Sequence, residues 1–252
     1  MRGLSNKVAV IAGGGNGIGA VTALRLAGEG VSVVVGDLDR DGAQAVAERI
    51  ESKGGRALAV QFDMTDDASV GALVKAAVDT YGGLDFMHAN AADFSNIALD
   101  TDALNVPLEV FDRTLAVNLR GYLLCTRHAL PELLKRRGAI VYTTSAAAYI
   151  GEPERVSYGV SKSGINALMR HVASRWGKEG IRANAIAPGL VVTEKMRGTL
   201  PEEFKAYALS MARSPRLGEP DDIAAMVAFL FSDDSAWING QVISVDGGAT
   251  LR

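Results

Sequence analysis

A tyrosine and a lysine, Tyr158 and Lys162, stand four residues apart, so on a helix their side chains would share one face. A tyrosine alone has a pKa of about 10 and is a poor acid or base at neutral pH. A nearby ammonium group favours the phenolate and brings that pKa toward the working range. Ser145, 13 residues before Tyr158, could donate a hydrogen bond to a substrate oxygen. Such a pair by itself is most often an ordinary helix surface, so its meaning depends on what accompanies it.

A glycine-rich loop near the N-terminus is the first companion. The run reads Ala12-Gly13-Gly14-Gly15-Asn16-Gly17-Ile18-Gly19 and lies between a predicted strand and a predicted helix. Glycines let the backbone turn sharply and approach a pyrophosphate, and the helix that follows offers free N–H groups to the phosphates. A glycine pattern alone is weak evidence and fits a flexible turn. Its position between strand and helix favours the phosphate-binding interpretation.

An acidic residue at the end of the second predicted strand indicates which dinucleotide would bind. Asp37 comes 18 residues after Gly19, where a carboxylate can accept hydrogen bonds from the adenosine ribose and repel a 2′-phosphate. No cation occupies Asn16, and Arg40 is the one nearby cation that could soften the preference. We therefore predict NAD in preference to NADP. Asp63 closes the third strand and could meet the adenine amino group or serve as a turn or cap residue.

These features together favour catalysis over a helix surface. The positive charge of an oxidised nicotinamide would add to that of Lys162 in lowering the pKa of Tyr158. The combination predicts hydride transfer between the nicotinamide and an alcohol/carbonyl pair.

Alternating strand and helix patterns must position these residues. The predicted strands are 8–12, 31–35, 57–61, 84–87, 139–143, 182–186 and 242–245. The predicted helices are 18–27, 41–52, 68–81, 108–135 with an irregularity near 118–121, 158–178, 202–211 and 221–231. Such alternation predicts one α/β domain with a parallel, doubly wound sheet and helices on both faces. The ligand site of such a sheet lies at the carboxyl ends of the strands, where the residues singled out above fall.

Composition excludes several classes of partner. The chain has 252 residues, a formal net charge of −3 and no basic run longer than Lys135-Arg136-Arg137, so we expect no nucleic-acid partner. The single Cys125 fits a reducing compartment, and no apolar stretch is long enough for a membrane span. We expect a cytoplasmic protein with no membrane partner.

Motifs of rival chemistries are missing from the sequence. There is no His-Glu-x-x-His segment and no cysteine pair, and His88, His128 and His171 are far apart, so we expect no metal site. The chain has neither a Gly-x-Ser-x-Gly elbow nor a Gly-Lys-Ser/Thr phosphate loop, so neither a serine hydrolase nor a nucleotide hydrolase is expected.

Several motifs in this order resemble the short-chain dehydrogenase/reductase family over essentially the whole chain. The stretch from Ala12 to Gly19 matches the family's TGxxxGIG loop with alanine for threonine, Pro188-Gly189 follows the sixth strand, and Asp246-Gly247-Gly248 resembles the family ending. The resemblance implies a Rossmann-type domain with a seven-stranded parallel sheet. It also implies a cofactor half of about 1–115, a catalytic and substrate half of about 116–252, and a lid of about 190–213.

The resemblance also implies the roles of individual residues. The catalytic residues would be Asn118, Ser145, Tyr158 and Lys162. The cofactor contacts would be Gly13, Gly15, Asn16, Gly17, Ile18, Gly19, Asp37, Leu38, Asp63, Met64, Asn90, Ala91, Tyr158, Lys162, Pro188, Gly189, Val191 and Thr193. Tyr158 would be the general acid/base, Lys162 would lower its pKa and hold the nicotinamide ribose, and Ser145 would polarise the substrate oxygen. Asn118 would support a water that leads protons away, and the expected substrate is a secondary alcohol or ketone.

One segment departs from the family pattern. The family's Asn-Asn-Ala-Gly after the fourth strand is Ala89-Asn90-Ala91-Ala92 here. We expect altered local packing rather than lost cofactor binding. His88, just before, could reach the cofactor edge, although a hydrogen-bonded core position is favoured.

Two other functions stay open at this point. A non-catalytic NAD-binding redox sensor would keep the glycine loop and Asp37 but could discard the reactive residues. A 3-oxoacyl-thioester reductase of the same family would go better with a basic residue and NADPH. The resemblance further implies a homotetramer assembled through the long helices, with Trp237, Ile238 and Val242 in a second interface. The presumed pocket borders 92–96, 146–152 and 190–211 are mostly apolar, but they do not identify the substrate.

Overall fold

The structure is a computed structural model that describes residues 1–251. Its strands are β1 Val8–Ala12, β2 Ser32–Asp37, β3 Arg56–Gln61, β4 Phe86–Ala89, β5 Ala139–Thr143, β6 Arg182–Pro188 and β7 Val242–Val245. They form one parallel sheet in the order β3-β2-β1-β4-β5-β6-β7. The order reverses between β1 and β4, which opens a crevice at the carboxyl ends of these two strands. The predicted doubly wound α/β fold is confirmed.

Helices cover both faces of the sheet. They are α1 Gly17–Gly28, α2 Arg40–Glu51, α3 Asp67–Tyr81, α4 Leu108–Leu115, α5 Gly121–Arg136, α6 Val156–Trp176, α7 Glu194–Arg197, α8 Glu202–Met211 and α9 Pro220–Phe231. Apolar side chains of α1, α2 and α9 form one core with the sheet, and those of α3, α5 and α6 form the other. No helix within residues 1–251 is long and apolar enough to cross a bilayer.

The alternation of side chains along each strand divides these two cores. In β1, Val8 and Val10 join the core of α3, α5 and α6, whereas Ala9 and Ile11 join the core of α1, α2 and α9. Successive residues of a strand point to opposite faces, so a continuous apolar run suits a strand that is buried on both sides.

Two local features refine the sequence prediction: a helix irregularity lies where it is predicted, and the fourth strand is shifted. The helical stretch beginning at Leu108 contains a π-helical segment, Ala116–Arg120, between α4 and α5, at the irregularity that the sequence predicts. The fourth strand begins two residues later than predicted, so His88 lies inside it. The buried carboxylate of Asp85 precedes that strand and accepts from the Val8 N–H at 2.9 Å.

Candidate active site

Helix α6 carries Tyr158 and Lys162 on one face, against the end of β5. The Lys162 Nζ donates to the Thr143 carbonyl at 3.0 Å and lies 5.5 Å from the centroid of the Tyr158 ring. The Thr144 hydroxyl donates to the Lys162 carbonyl at 2.8 Å and so joins the helix backbone to the strand end. The four-residue spacing therefore brings the two side chains together, as the sequence predicts.

The ammonium of Lys162 lies in the core, with 1% of the residue exposed. Besides the Thr143 carbonyl, its Nζ faces the Tyr122 ring at 5.2 Å from the centroid. Burial disfavours the charged form and lowers the pKa of Lys162 to about 7. This lysine can therefore gain or lose a proton near neutral pH.

The phenol of Tyr158 is half-buried and in the chain alone is protonated at neutral pH. Burial raises the pKa of Tyr158, a hydrogen bond with Ser145 opposes that rise, and Glu152 and Arg155 act in opposite directions. The sequence predicts that the pKa of Tyr158 is lowered by Lys162 together with the positive charge of an oxidised nicotinamide. In the chain alone this pKa is raised, so the predicted lowering requires the charge of the cofactor. Phe94 lies on the phenol, with ring centroids 5.6 Å apart.

Ser145 follows β5 in an extended conformation and begins a short 3₁₀ turn, Ala146–Ala148. Its Oγ accepts from the Ala147 N–H at 3.1 Å. Because this bond uses a lone pair, the hydroxyl proton stays available to Tyr158 or to a substrate oxygen.

Asn118 lies in the π-helical segment and is fully buried. Its Oδ1 accepts from the Asp93 N–H at 2.9 Å, whereas its Nδ2 has no hydrogen-bond partner among residues 1–251. A buried donor without a protein partner is costly unless a water or ligand satisfies it. The geometry therefore suits the water-holding role that the family resemblance implies.

The glycine loop joins β1 to α1 at the crevice. Gly13 has a φ of +86°, and its carbonyl accepts from the Asn90 Nδ2 at 3.0 Å. A Cβ at Gly19 would lie 1.9 Å from the Gly13 carbonyl oxygen, so the loop and the helix touch here. No side chain caps α1, and its first turn contains no acidic residue. The N–H groups at the start of this helix are thus available to an anion.

Two carboxylates follow β2 and β3, where the sequence predicts contacts with the adenosine of the cofactor. Asp37 accepts from the Gly15 N–H at 2.8 Å and from the Asp39 N–H at 3.0 Å, while Leu38 beside it is exposed. Asp63 makes the turn that the sequence allows: its Oδ1 accepts from the N–H and the hydroxyl of Thr65, which lower its pKa. The second oxygen of Asp63 is not used in this turn. Met64, which follows it, is buried.

The segment after β6 returns to the glycine loop. Pro188 ends the strand, and a Cβ at Gly189 would meet Asp246 at 2.9 Å. A Cβ at Gly17 would lie 3.2 Å from the Thr193 methyl group. Asn16 and Ile18 flank Gly17 in the glycine loop, Ala91 lies against Gly13, and Val191 pairs with Gly218. The structure therefore gathers the predicted site residues at one edge of the sheet.

Comparisons with known proteins agree with this geometry. Residues 12–250 match the family profile described as Enoyl-(Acyl carrier protein) reductase. The chain is 41% identical to a probable short-chain type dehydrogenase/reductase of Bradyrhizobium diazoefficiens, over 96% of this chain and 86% of the relative. It is 37% identical to the cis-4-hydroxycyclohexanecarboxylate dehydrogenase of Sinomonas cyclohexanicum, over 98% and 97% of the two chains. The chain belongs to the short-chain dehydrogenase/reductase family. It is therefore an oxidoreductase.

A solved structure of the same family supports the fold along its whole length. A 7α-hydroxysteroid dehydrogenase complexed with NADH and 7-oxo glycochenodeoxycholic acid superposes with a TM-score of 0.92 at 32% identity. The match covers 100% of this chain and 96% of that one.

The residues of this short-chain dehydrogenase/reductase fit a dinucleotide. The uncapped start of α1 suits a pyrophosphate, Gly13 and Gly19 leave no room for side chains between loop and helix, and Asp37 has lone pairs left for a ribose. Residues 1–251 contain no group of three or more His, Cys, Asp or Glu side chains that could hold a metal ion.

The segment 89–92, where the sequence departs from the family pattern, follows a buried histidine. His88 is buried, its Nε2 lies 2.9 Å from the Thr143 Oγ1, and that hydroxyl donates to the Asn90 Oδ1 at 3.1 Å. Burial lowers the pKa of His88 to about 3, so the ring is neutral. Among residues 1–251, positive φ outside glycine occurs at three positions that do not include Ala92, so alanine is unstrained there. The core position favoured for His88 is confirmed.

Two contributors to the site were missed by sequence reasoning. The Thr143 carbonyl, which holds Lys162, is a backbone group and leaves no signal in the side-chain pattern. Asp100 accepts from the Tyr158 N–H at the start of α6, although the two residues are 58 positions apart in sequence. Spacing within a helix could not indicate such a contact.

We predict that Gly19→Ala weakens NADH binding at least tenfold, because the new methyl group would push the loop away from the pyrophosphate position. Fluorescence titration with NADH measures the dissociation constant. Gly28→Ala, on the same helix, has open space around its Cβ and is the matched control. Equal affinities of the two variants would contradict the predicted contact.

We predict that Lys162→Met stabilises the fold while abolishing turnover. Unfolded lysine titrates at about 10.4, whereas burial lowers the pKa of Lys162 to about 7. Between these two values the folded chain binds fewer protons than the unfolded chain, so the contribution of Lys162 to stability rises with pH. We therefore expect a higher Tm for the variant at pH 6, by about 2–4 °C per kcal/mol of desolvation removed, and a smaller gain at pH 9.

Calorimetry at both pH values checks this prediction. The exposed Lys53, replaced by methionine, is the control and should show no pH-dependent gain. A Tm for Lys162→Met that lies below that of the wild type by the same amount at pH 6 and pH 9 would contradict the prediction. It would show that the buried ammonium does not lower the stability of the fold.

Proposed function

We propose that this chain is an NAD(H)-dependent dehydrogenase that interconverts a secondary alcohol and a ketone. The observation that carries the proposal is the buried Lys162, whose Nζ lies 5.5 Å from the centroid of the Tyr158 ring. A lysine buried without a carboxylate partner is costly to stability and is explained by chemistry rather than by packing.

The chain's own residues would handle the proton. NAD, when bound, supplies the hydride acceptor, and its reduced form supplies the donor. For oxidation, Tyr158 takes the hydroxyl proton of the alcohol, and for reduction it returns a proton to the carbonyl oxygen. Ser145 holds that oxygen through its free hydroxyl proton. Lys162, which can exist in either protonation state near neutral pH, replenishes or removes the proton at Tyr158.

A route to solvent is needed because Lys162 is only 1% exposed. The unpartnered Nδ2 of Asn118 supports the proposal that this side chain binds a relay water. The acceptor of the same amide, Asn118 Oδ1, is already occupied by the Asp93 N–H at 2.9 Å, which fixes the orientation of the amide.

The substrate we propose is an alicyclic secondary alcohol with an apolar body. Phe94 exposes apolar surface against Tyr158, and Ile150, Phe204 and Met211, which lie in the predicted pocket borders, are exposed as well. A β-bridge between Val191 and Gly218 joins the two ends of the segment that carries α7 and α8. This supports the proposal that residues of about 190–213 form a lid. Two relatives are named for compounds of this class, one for a hydroxysteroid and the other for a hydroxycyclohexanecarboxylate.

The cofactor preference we propose is NAD over NADP. Asp37 has its carboxylate at the end of β2, fixed by the Gly15 and Asp39 N–H groups, where a 2′-phosphate would meet a like charge. The division into a cofactor half of about 1–115 and a catalytic and substrate half of about 116–252, which the family resemblance implies, is part of this proposal.

We predict that purified protein reduces NAD with cyclic secondary alcohols and that kcat/KM with NAD exceeds that with NADP. Tyr158→Phe should lose about 10²–10⁴-fold in kcat, the usual contribution of a general acid/base, while binding NADH normally. Absorbance of the reduced nicotinamide measures turnover, and Tyr81→Phe, at the far end of α3, is the control.

Other outcomes would favour the alternatives. Tight NADH binding with no turnover of any alcohol would favour a redox sensor. Faster turnover of a 3-oxoacyl thioester with NADPH would favour an acyl-thioester reductase, the class closest to the matching profile's description.

We also propose a homotetramer. An apolar groove lined by Leu115, Leu119, Leu123 and Leu168 lies along α4, α5 and α6, and Trp237 is 99% exposed. Exposed apolar surface of this kind is typical of interfaces between subunits. Sedimentation at four times the chain mass is expected, and a monomer would contradict it. A cytoplasmic location stays a prediction from sequence.

A further inference from the structure

The helix that carries Tyr158 has no cap of its own. The residue before its first turn, Arg155, adopts a left-handed conformation with φ of 64° and makes no side-chain cap. A helix start leaves four backbone N–H groups without partners inside the helix, and a local serine, threonine, aspartate or asparagine usually accepts from one of them. At α6 a different solution is found.

A two-residue segment far away in sequence accepts from all of these donors. The bonds are Arg155 N to Asp100 O at 2.8 Å, Val156 N to Thr101 O at 3.3 Å, Ser157 N to Asp100 Oδ1 at 3.0 Å, and Tyr158 N to Asp100 Oδ2 at 2.9 Å. The Ser157 hydroxyl also donates to Asp100 Oδ1, at 2.6 Å. Both carboxylate oxygens and the carbonyl of Asp100 are thus committed to this helix.

The carboxylate of Asp100 is buried, with 3% of the residue exposed, and forms no ion pair within residues 1–251. An isolated charge in such a place is costly unless hydrogen bonds compensate for it. Here the N–H groups and the positive end of the helix dipole do so. A side chain with this many bonds to one helix turn fixes the position of that turn.

The loop that carries Asp100 also borders the reacting groups. At its start, the Asp93 N–H donates to Asn118, and the Asp93 carboxylate pairs with Arg113 at 2.9 Å. Phe94 follows and lies against the Tyr158 ring. The loop is therefore fixed to Asn118 at one end and to the backbone of Tyr158 at the other.

We propose that Asp100 is a positioning residue that fixes the backbone of Tyr158 and thereby sets its phenol against Lys162 and Ser145. The inference rests on the proposed role of Tyr158 and extends it to a residue outside the reactive group. Misplacing a catalytic group by about 1 Å can cost about 10²-fold in rate, whereas losing an ordinary helix cap lowers stability and leaves chemistry unchanged.

Asp100→Asn is the main variant, because asparagine keeps the shape and one acceptor oxygen but loses the charge and the second acceptor. Asp85→Asn is the matched control, since Asp85 is equally buried, accepts through both carboxylate oxygens from Lys7, Val8 and Arg136, and precedes β4 at the end of the sheet opposite the site. Both variants lose one buried acceptor and one buried charge, but only the first touches the helix of Tyr158. Asp100→Ala serves as the more severe variant where it folds.

We expect kcat of Asp100→Asn with cyclohexanol to fall about tenfold, and that of Asp100→Ala about 100-fold, with KM and the NADH dissociation constant changed less than about twofold. The isotope effect with alcohol deuterated at the carbinol carbon should rise, because chemistry becomes slower than the other steps. Asp85→Asn should lower Tm alone.

A spectroscopic measurement tests the inference without turnover. Protein labelled with 3-fluorotyrosine gives a ¹⁹F resonance for Tyr158, assigned by its loss in Tyr158→Phe. We expect Asp100→Asn to shift this resonance and its titration midpoint, and Asp85→Asn to leave both unchanged. A resonance that shifts in a protein that turns over no alcohol would contradict the proposed function and retain the positioning role. If Asp100→Asn has wild-type kinetics and an unshifted resonance, and only its Tm is lowered, the inference is wrong. Asp100 would then be an ordinary helix cap.

Discussion

The ammonium of Lys162, held in the core by a single backbone carbonyl, is the interaction on which the site depends. Removing a charge from water is costly, and no carboxylate near Lys162 offsets that cost. The Thr143 carbonyl accepts from Lys162 Nζ and from the Tyr122 hydroxyl, each at 3.0 Å, so it uses both lone pairs. The result is a pKa of about 7, which suits a group that passes protons rather than one that only holds charge. The end of β5 must therefore meet α6 closely, and the Thr144 hydroxyl maintains that contact.

The same strand end also supports the cofactor side of the crevice. The Thr143 carbonyl accepts from Lys162, while the Thr143 hydroxyl contacts His88, which lies on β4, and Asn90, which follows β4. Asn90 in turn donates to the Gly13 carbonyl. One residue thus links the proton-handling groups to the glycine loop through hydrogen bonds of about 3 Å. Because His88 is neutral, with its pKa lowered to about 3, this link adds no charge beside the buried ammonium.

Sequence reasoning predicts those parts of this arrangement that side-chain periodicity and motif spacing encode. Apolar runs identify the strands, and the positions of Gly13 and Ser145 just after strand ends indicate the edge of the sheet where they meet. The shift of β4 escapes detection because Leu84 is as buried as the strand residues that follow it. The partner of Lys162 escapes because a carbonyl is present at every residue. Asp100 escapes because it lies between β4 and α4, and its partners at the start of α6 come only after β5, so that the tertiary fold and not a local pattern brings them together.

A remote cap also differs physically from a local one. A serine or aspartate just before α6 would satisfy its N–H groups but would fix the helix only relative to its own preceding residue. Asp100 instead fixes the helix relative to the loop that carries Phe94, so the phenol and its apolar neighbour keep their relative positions. The left-handed Arg155 costs about 1–3 kcal/mol, and its N–H bond to the Asp100 carbonyl at 2.8 Å helps to hold it. Strain at that point is consistent with a helix start placed by its surroundings, and Tyr158 is the third residue of that helix.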